Sequence, residues 1–409
     1  MEPVRSVAAG SRAGPAGGGK GGEVRRGPRG HGLSPALLRR RTLLAAAAAG
    51  TLSPFPGRAQ LTPDLGALPG LGALARSRGI TFGAAVQGQL LETEPDYQRA
   101  FETEAAILVP EWEAKWSALQ PQEGRFDTAP LDSILRWAQS RARPVRGHAL
   151  VWHNDIPGWA QAALAEGRHR AMAVMAAHFD RVLAHGRGQI RDWDVVNEPV
   201  ANPPGSDVPQ AGPGELRDTP WLRALGPGYI DIAFRMARER DPTLRLTLNE
   251  YGVEEDTPDA AEKRRRLLSL LRSLLSRGVP VDAVGIQAHL QMARPFRPAP
   301  FAAFLAELRQ MGLAVLITEL DMRETQEAPP GLAVRDTMVA ERTHAFVATA
   351  LEGGVRTVLT WGLSDRHSWL ASDAGVMLRD GRTHRGLPLD EEWRRKPMWE
   401  ALARAFQGG

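Results

Sequence analysis

Eight short apolar runs, separated by longer amphipathic segments, make up most of the sequence after about Ile80. Most of these runs are apolar over several consecutive positions, which is typical of strands that are covered on both faces. The segments between them place apolar residues at i, i+3 and i+4 and several end in glycine, which predicts helices. The predicted strands are residues 80–86, 105–110, 144–153, 193–198, 244–251, 283–290, 313–321 and 357–362.

Eight strand–helix units over roughly 300 residues favour an α/β fold, a single (β/α)8 TIM barrel, over an open doubly wound sheet. The open sheet is also disfavoured because no G-x-G-x-x-G phosphate loop follows the first strand, "ITFGAAV". The C-terminal "EEWRRKPMWEALARAFQ" is interpreted as the eighth helix of the barrel. With no second domain or internal repeat visible, the sequence predicts one catalytic domain over residues 60–409.

The charge is distributed unevenly. The chain has 51 Lys and Arg and 47 Asp and Glu, of which residues 1–60 contain ten basic and two acidic ones. The remainder therefore carries 41 basic and 45 acidic residues and is slightly acidic. A nucleic-acid partner is not expected, because the basic surplus lies at one end of the chain.

Residues 1–59 are predicted to be a low-complexity leader followed by a signal peptide. The segment "RRRTLLAAAAAGTLSPFPGRAQ" contains Arg40-Arg41, a short Ala/Leu run and a small-x-small end at Gly57-Arg58-Ala59, and it resembles a twin-arginine signal. A transmembrane anchor or a buried helix fits less well, because the run is short and not amphipathic. We therefore expect a periplasmic or secreted monomer without stable membrane association. The absence of cysteine excludes disulfides and catalytic thiols.

Polar residues collect where the predicted strands end. In a (β/α)8 barrel the catalytic groups come from the carboxyl ends of the strands. One such residue alone is better explained as part of a structural polar network, but the pattern recurs on seven strands. The residues are Glu111, Lys115, His148, Trp152, His153, Asn197, Glu198, Asn249, Glu250, Tyr251, Gln287, His289, Glu319, Asp321, Trp361 and Asp365.

Glu198 and Glu319 are the candidate catalytic pair. They stand at the ends of the fourth and seventh predicted strands, which lie on nearly opposite sides of an eight-stranded ring, so the two carboxyl groups can converge on one substrate. Two carboxyl groups, one protonated and one ionised, are what glycoside hydrolysis requires. A hydrogen bond from His289, itself held by Asp321, would keep Glu319 charged. The alternative for either glutamate alone is a structural ion pair.

Tryptophan is unusually frequent near the predicted strand ends. The chain has 11 Trp against 3 Tyr, and indole rings stack well on the C–H faces of sugars. Trp361 and Trp369, which flank a loop containing Asp365, are predicted ligand contacts. For Trp116, core packing and ligand contact remain equally open. The indoles concerned are Trp112, Trp116, Trp152, Trp361 and Trp369.

A metal site was the main alternative chemistry. His148 and His153 could bind zinc, or form a mixed-carboxylate metal site, together with His289, Asp321 or Glu319, as in amidohydrolase-type barrels. However, the H-x-H motif of those proteins is missing from the first strand. His148 and His153 are also predicted to point to opposite sides of an extended stretch. Neither a metal nor another cofactor is therefore expected.

Six motifs in order resemble glycoside hydrolase family 10, the retaining endo-1,4-β-xylanases. They are "VRGHALVWHNDIPGW", "WDVVNEPV", "LNEYGVE", "GIQAHL", "ITELDM" and "WGLSDRHSW", and the similarity runs from about Phe82 to Ala405. The resemblance implies hydrolysis of internal β-1,4 bonds of xylan by double displacement through a covalent glycosyl-enzyme intermediate.

The resemblance also implies roles for individual residues. Glu198 matches the general acid/base, Glu319 the nucleophile, and His289 the histidine held between that nucleophile and Asp321. Asn197 matches the group that binds the 2-hydroxyl of the sugar in subsite −1. Gln287 matches a polar residue of the same site. His148 and Trp152 match the wall of subsite −1, and Trp361 and Trp369 match its floor and lid. Glu111 and Lys115 match residues that bind the sugar in subsite −2.

Three motifs depart from the family pattern. In "PEWEAKW", Trp112 replaces an asparagine that helps to bind the sugar in subsite −2. Asn154-Asp155 and Glu250-Tyr251-Gly252 also differ from the usual residues. Two alternatives follow: the same mechanism acting on another β-glycan or on short xylo-oligosaccharides, or a carbohydrate-binding barrel without catalysis.

Overall fold

A closed parallel barrel forms the centre of the structure, a computed structural model that describes residues 68–204, 211–212 and 215–408. The strands are β1 (Thr81–Val86), β2 (Ile107–Pro110), β3 (Val145–Gly147), β4 (Ile190–Asn197), β5 (Arg245–Glu250), β6 (Ala283–Ile286), β7 (His289–Gln291), β8 (Ala314–Arg323) and β9 (Thr357–Thr360). Neighbouring strands pair in order from β1 to β6, β6 pairs with β8, and β8 and β1 both pair with β9, which closes the ring. The predicted (β/α)8 TIM barrel is confirmed.

Helices follow the barrel strands and cover the outer face of the ring. Several begin with proline in the first turn, where no backbone N–H is needed, and Thr219 and Thr257 cap two of them through their hydroxyl groups. The helices are α1 (Leu71–Arg76), α2 (Gly88–Thr93), α3 (Pro95–Glu104), α4 (Trp116–Leu119), α5 (Ala129–Ser140), α6 (Gly158–Ala165), α7 (Arg168–Gly186), α8 (Pro220–Leu225), α9 (Tyr229–Arg240), α10 (Pro258–Ser276), α11 (Pro298–Gln310), α12 (Leu332–Glu352) and α13 (Pro397–Gln407).

The strand residues are buried toward both the barrel interior and the helices, which explains why they are apolar without alternation. The predicted C-terminal helix is α13. It packs on α12 and α1, and the ring of Phe406 lies 5.6 Å from that of Phe82 in β1. No helix in the described part of the chain is both long and apolar enough to span a membrane.

Two predicted strands are shorter than expected. β3 ends at Gly147, and residues 148–153 continue as irregular backbone with a single bridge between Val151 and Val196. The run 283–290 breaks at Ala288, whose φ of 64° is left-handed, before β7 pairs with the end of β8. Apolar patterning does not distinguish a strand from an irregular buried segment whose backbone groups are bonded to a neighbouring strand.

Arginine side chains at the amino end of the barrel satisfy helix carbonyls. Arg143 donates to the carbonyl oxygen of Glu102 at 2.7 Å, Arg187 to that of Arg240 at 2.9 Å, and Arg235 to that of Arg277 at 2.6 Å. The last carbonyls of a helix lack intrahelical partners and lie at the negative end of its dipole. These basic residues therefore have a structural role. The predicted leader, residues 1–59, lies outside the described residues.

Candidate active site

A cleft of about 860 Å³ opens at the carboxyl ends of the barrel strands. Every residue predicted to take part in catalysis or to bind sugar lines it. These are Glu111, Trp112, Lys115, His148, Trp152, Asn197, Glu198, Gln287, His289, Glu319, Asp321, Trp361 and Trp369. The strands therefore bring together, in one cavity, residues that are far apart in sequence.

Glu319 is held on both carboxylate oxygens. Its Oε1 accepts a hydrogen bond of 2.6 Å from the Asn249 amide, and its Oε2 lies 3.2 Å from Nε2 of His289. The other ring nitrogen of His289 lies 2.9 Å from Oδ1 of Asp321. Asp321 also accepts a hydrogen bond of 2.6 Å from the indole N–H of Trp369. The carboxylate is thus fixed in position by Asn249 of β5 and His289 of β7, and His289 is in turn fixed by Asp321 of β8.

The surroundings of Glu319 favour its ionised form. Burial alone would raise the pKa of Glu319, but His148 and His289 outweigh burial and hold it below its ordinary value. Burial likewise opposes the charge on His289, yet Asp321 and Glu319 hold its pKa well above the usual range. A protonated His289 donates from both ring nitrogens, one to each carboxylate. The arrangement suits a nucleophile that has to remain an anion.

A buried charge cluster lies behind the nucleophile. Arg146 Nη1 donates to Asp194 at 2.6 Å, and Nδ1 of His148 lies 2.9 Å from the same carboxylate. His148 Nδ1 is also 3.9 Å from Oε1 of Glu319. Burial would raise the pKa of Asp194, but Arg146 and His148 lower it. The cluster fixes the orientation of His148 toward the cleft.

The Glu198 side chain is held by two amide groups. Its Oε1 accepts from Gln287 at 3.1 Å and from Asn197 at 3.3 Å. The Asn249 amide, which donates to Glu319, also donates to Asn197 Oδ1 at 2.9 Å. Asn249 and Asn197 therefore connect the two carboxyl groups through a short chain of hydrogen bonds.

The backbone of Glu198 is held by a second, deeper network. Glu198 has a left-handed φ of 56°, its N–H donates to the Asn249 carbonyl at 2.8 Å, and its carbonyl accepts from Arg217 at 2.9 Å. Arg217 donates also to the Tyr251 hydroxyl at 2.9 Å. Below it, Lys263 binds Glu250 at 3.0 Å.

The prediction that His148 and His153 point to opposite sides assumed an extended strand, but β3 ends at Gly147, before both residues. His153 Nε2 lies 3.9 Å from Oε2 of Glu198, while His148 faces Glu319. Each histidine thus lies near a different one of the two glutamates. Burial lowers the pKa of His153 to about 4, which Glu198 only partly offsets, so its imidazole is neutral at neutral pH.

Indole rings and a lysine form one side of the cleft. Lys115 Nζ lies 4.7 Å from the ring centre of Trp152 and 5.7 Å from that of Trp361. Glu111 accepts a hydrogen bond of 2.9 Å from Gln87. Flat aromatic faces beside charged hydrogen-bonding groups are suited to a sugar chain.

A family model described as "Glycosyl hydrolase family 10" matches residues 70–405. The chain belongs to glycosyl hydrolase family 10. It is 29% identical over 335 residues to endo-1,4-β-xylanase B of Thermotoga neapolitana, which covers 81% of this chain and 90% of that protein.

Solved structures of similar proteins agree with this family 10 fold. The native xylanase 10B of Thermotoga maritima has a TM-score of 0.72 at 28% identity, over 83% of this chain and 98% of that one. Xylanase 10B of Thermotoga petrophila, solved in complex with xylobiose, has a TM-score of 0.72 at 27% identity, over 83% of this chain and 97% of that one.

Trp116 and Asp365, which were also candidates from the sequence, lie outside the family 10 cleft. Trp116 is buried and stacks on His178 with ring centres 3.7 Å apart, so the structure decides for core packing. Asp365 does not line the cleft: it accepts from Lys396 at 2.5 Å and from the Leu387 N–H at 3.0 Å. Both residues stabilise the loops that carry the site.

Sequence reasoning missed part of the family 10 site. The sequence marks Asn249 only as a polar strand end. It does not indicate a place in the site for Arg146, Asp194, Arg217 or Lys263. Charged residues inside or next to predicted core segments were the available signal, because they need partners when buried. Within residues 68–204, 211–212 and 215–408, no group of three or more His, Cys, Asp or Glu is arranged to hold a metal ion.

Proposed function

We propose that this family 10 glycosyl hydrolase is an endo-1,4-β-xylanase that cleaves internal xylosidic bonds with retention of configuration. The observation that carries the proposal is the paired arrangement of Glu198 and Glu319, joined through Asn197 and Asn249, with His289 and Asp321 fixing one of them as an anion. The similar proteins named above, all xylanases, support the choice of substrate.

The first step uses both glutamates. Glu319 attacks the anomeric carbon of the sugar in subsite −1, and the bond from that carbon to the glycosidic oxygen breaks. Glu198 gives its proton to the departing oxygen, which leaves as a hydroxyl group. Asn197 binds the 2-hydroxyl of the same sugar, where its contact strengthens as the ring flattens.

The second step reverses these roles. Glu198, now a carboxylate, takes a proton from water, and the water oxygen attacks the anomeric carbon. The bond to Glu319 breaks and restores the ionised carboxylate, whose charge His289 stabilises. Two inversions at one carbon give net retention.

The remaining residues of the cleft bind the chain. Trp361 and Trp369 form the floor and lid of subsite −1, and His148, Trp152 and Gln287 form its polar and aromatic wall. Glu111 and Lys115 bind hydroxyl groups of the next sugar on the glycone side. The active protein requires no metal or other cofactor in this mechanism.

Paired variants test the proposal. Glu319→Ala should abolish turnover of both xylan and an aryl xylobioside with a good leaving group. Glu198→Ala should reduce xylan cleavage by roughly 100- to 10,000-fold. Cleavage of the aryl xylobioside bond should be largely spared in this variant, because that leaving group needs no proton.

Glu239→Ala, at an exposed position on α9, serves as the matched control. NMR of the first-formed products should show the β-anomer; wild-type rates in both variants, or an α-anomer, would contradict the mechanism.

A second candidate is the same mechanism on another β-glycan or on short xylo-oligosaccharides. The observation that favours it is Trp112, a half-exposed indole in the cleft at the position where the family pattern has asparagine. Rates on xylan, β-glucan, aryl xylobioside and aryl cellobioside separate the candidates. A carbohydrate-binding barrel without catalysis would bind these sugars and cleave none of them.

We also propose that residues 1–59 export the folded domain, residues 60–409, as a monomer to the periplasm or beyond. Support comes from the Arg40-Arg41 pair, the short apolar run and the small-x-small end. Replacing both arginines with lysine should leave the protein in the cytoplasm, as measured by fractionation of expressing cells. Export of the double variant at the wild-type level would count against the proposal.

A further inference from the structure

The loop after β2 carries an indole that packing does not explain. Trp112 is 42% exposed, and of the exposed large apolar side chains in the described part of the chain it is the only aromatic one. An indole that is exposed to water does not contribute the folding stability that its burial would give. Its ring nevertheless lines the cleft that contains Glu198 and Glu319.

The backbone on both sides of Trp112 is held firmly. The buried carboxylate of Glu113 accepts hydrogen bonds from the Gly88 N–H and, at 3.2 Å, from the Trp112 N–H. The Trp112 carbonyl accepts from the Lys115 N–H at 3.0 Å. The backbone of this loop is therefore pre-organised, so a ligand that packs on Trp112 does not have to order the loop.

The two halves of the cleft differ in chemistry. The ends of β2, β3 and β9 supply Trp112, Trp152 and Trp361, whereas the side near β7 and the start of α10 is lined by Glu255, Asp259, Gln291, Arg294 and Arg323. Tyr251 also lines the cleft, but the Lys263 ammonium group lies 3.5 Å from its ring centre. The half that contains Trp112 is thus the aromatic one, and Trp112 is its exposed indole, since Trp361 is only 7% exposed.

We propose that Trp112 is a stacking platform for an additional, uncharged sugar ring at the outer end of the glycone half, beyond the sugar bound by Glu111 and Lys115. The inference rests on the proposed function and adds a preference for longer chains. The C–H face of a pyranose packs on the indole, while its hydroxyl groups remain in water. The short-oligosaccharide candidate predicts the opposite preference.

Chain-length kinetics test the platform. We would measure kcat/KM for linear xylo-oligosaccharides from the trimer to the hexamer and for an aryl xylobioside in the wild type, Trp112→Ala, Trp112→Phe and the exposed control Leu332→Ala. Trp112→Ala should lower kcat/KM by roughly 2- to 10-fold on the longest substrates only, which corresponds to the usual strength of aromatic stacking. Trp112→Phe should retain part of the gain with chain length. Equal values for wild type and Trp112→Ala across the series, or an equal loss on every substrate, would overturn the proposal.

Binding without turnover separates this inference from the proposed function. In the Glu319→Ala background, titration calorimetry with xylotriose and xylohexaose should show that Trp112→Ala weakens the hexamer by the same 2- to 10-fold and leaves the trimer unchanged. A wild type that cleaves no member of the series would contradict the xylanase assignment, while the hexamer-to-trimer affinity ratio still decides whether Trp112 is a platform. A ratio that Trp112→Ala leaves unchanged would overturn the platform even in an active xylanase.

Discussion

Arg217 Nε donates a hydrogen bond of 2.9 Å to the backbone carbonyl oxygen of Glu198. Glu198 has a φ of 56°, a backbone conformation that residues other than glycine rarely adopt. Contacts with the surrounding structure have to stabilise it. Arg217 is itself buried and bonded to the Tyr251 hydroxyl. The orientation of the proposed acid/base therefore depends on Arg217, a buried residue that does not line the cleft.

Arg217→Lys should lower kcat on xylan by up to about 100-fold with little change in KM, because a small misplacement of the acid/base is costly. Lysine lacks the planar fork that reaches the Glu198 carbonyl and the Tyr251 hydroxyl together. An aryl xylobioside that needs no proton donor should be affected much less. Steady-state kinetics on both substrates, with exposed Arg223→Lys as the control, measure the effect. A rise in KM at unchanged kcat would show that Arg217 acts on binding and not on positioning.

His289→Gln should move the acidic limb of the kcat/KM profile to higher pH. Burial raises the pKa of Glu319, and the two histidines more than reverse that effect. Glutamine can still donate a hydrogen bond but removes one positive charge, so the pKa of Glu319 should rise and its active anion should be lost at a higher pH. Rates on aryl xylobioside between pH 4 and 8 measure the shift, with exposed His169→Gln as the control. A limb that stays in place, or moves to lower pH, would contradict this role of His289.

The barrel and the cleft could be predicted because their signals are local. Consecutive apolar residues mark strands covered on both faces, and polar residues toward the carboxyl end of such a run fall at the mouth of the barrel. Glu198 directly follows β4, and Glu319 lies in the second half of β8. The resemblance to a known family supplied the individual roles. These signals require no knowledge of which side chains meet in space.

The supporting contacts could not be predicted because they join distant segments. Lys263 lies on α10, Glu250 ends β5 and Arg217 precedes α8. The sequence around each of them does not show that the three side chains belong to one buried network. The same holds for Trp116, which stacks on His178 of α7 only after the barrel has closed. The spacing of apolar residues predicts helices and strands, but it does not predict which side chains of different segments pack together.

Arg146→Met should destabilise the fold most strongly above the pH range in which Asp194 becomes protonated. Removing one partner of a buried ion pair costs ~3–5 kcal/mol, since the other charge stays buried. Arg146 and His148 lower the pKa of Asp194 below its unfolded value, so this stabilisation is present above the unfolded pKa and is lost as the pH falls through the folded pKa.

Urea unfolding at pH 7 and pH 3 tests this expectation. The difference in free energy of unfolding between wild type and Arg146→Met should be large at pH 7 and smaller at pH 3. Arg191→Met, at an exposed position on β4, is the control and should change stability little at either pH. An equal difference at both pH values would mean that Arg146 stabilises the barrel by packing and not through Asp194.

Gly147→Ala should destabilise the barrel floor beneath the site. A Cβ on Gly147, the last residue of β3, would lie 2.2 Å from ring atoms of the buried Trp193, and forcing an extra carbon into a packed core typically costs ~1–3 kcal/mol. Because residues 148–153 continue from Gly147 into the cleft, the shift should also reach His148 and Trp152 and lower kcat/KM. Gly158→Ala is the matched control, since nothing lies within 4 Å of a Cβ there and the residue begins α6, where alanine is favoured. Thermal unfolding and xylan kinetics on both variants measure the difference, and equal stability of the two would show that Trp193 can move aside at no cost.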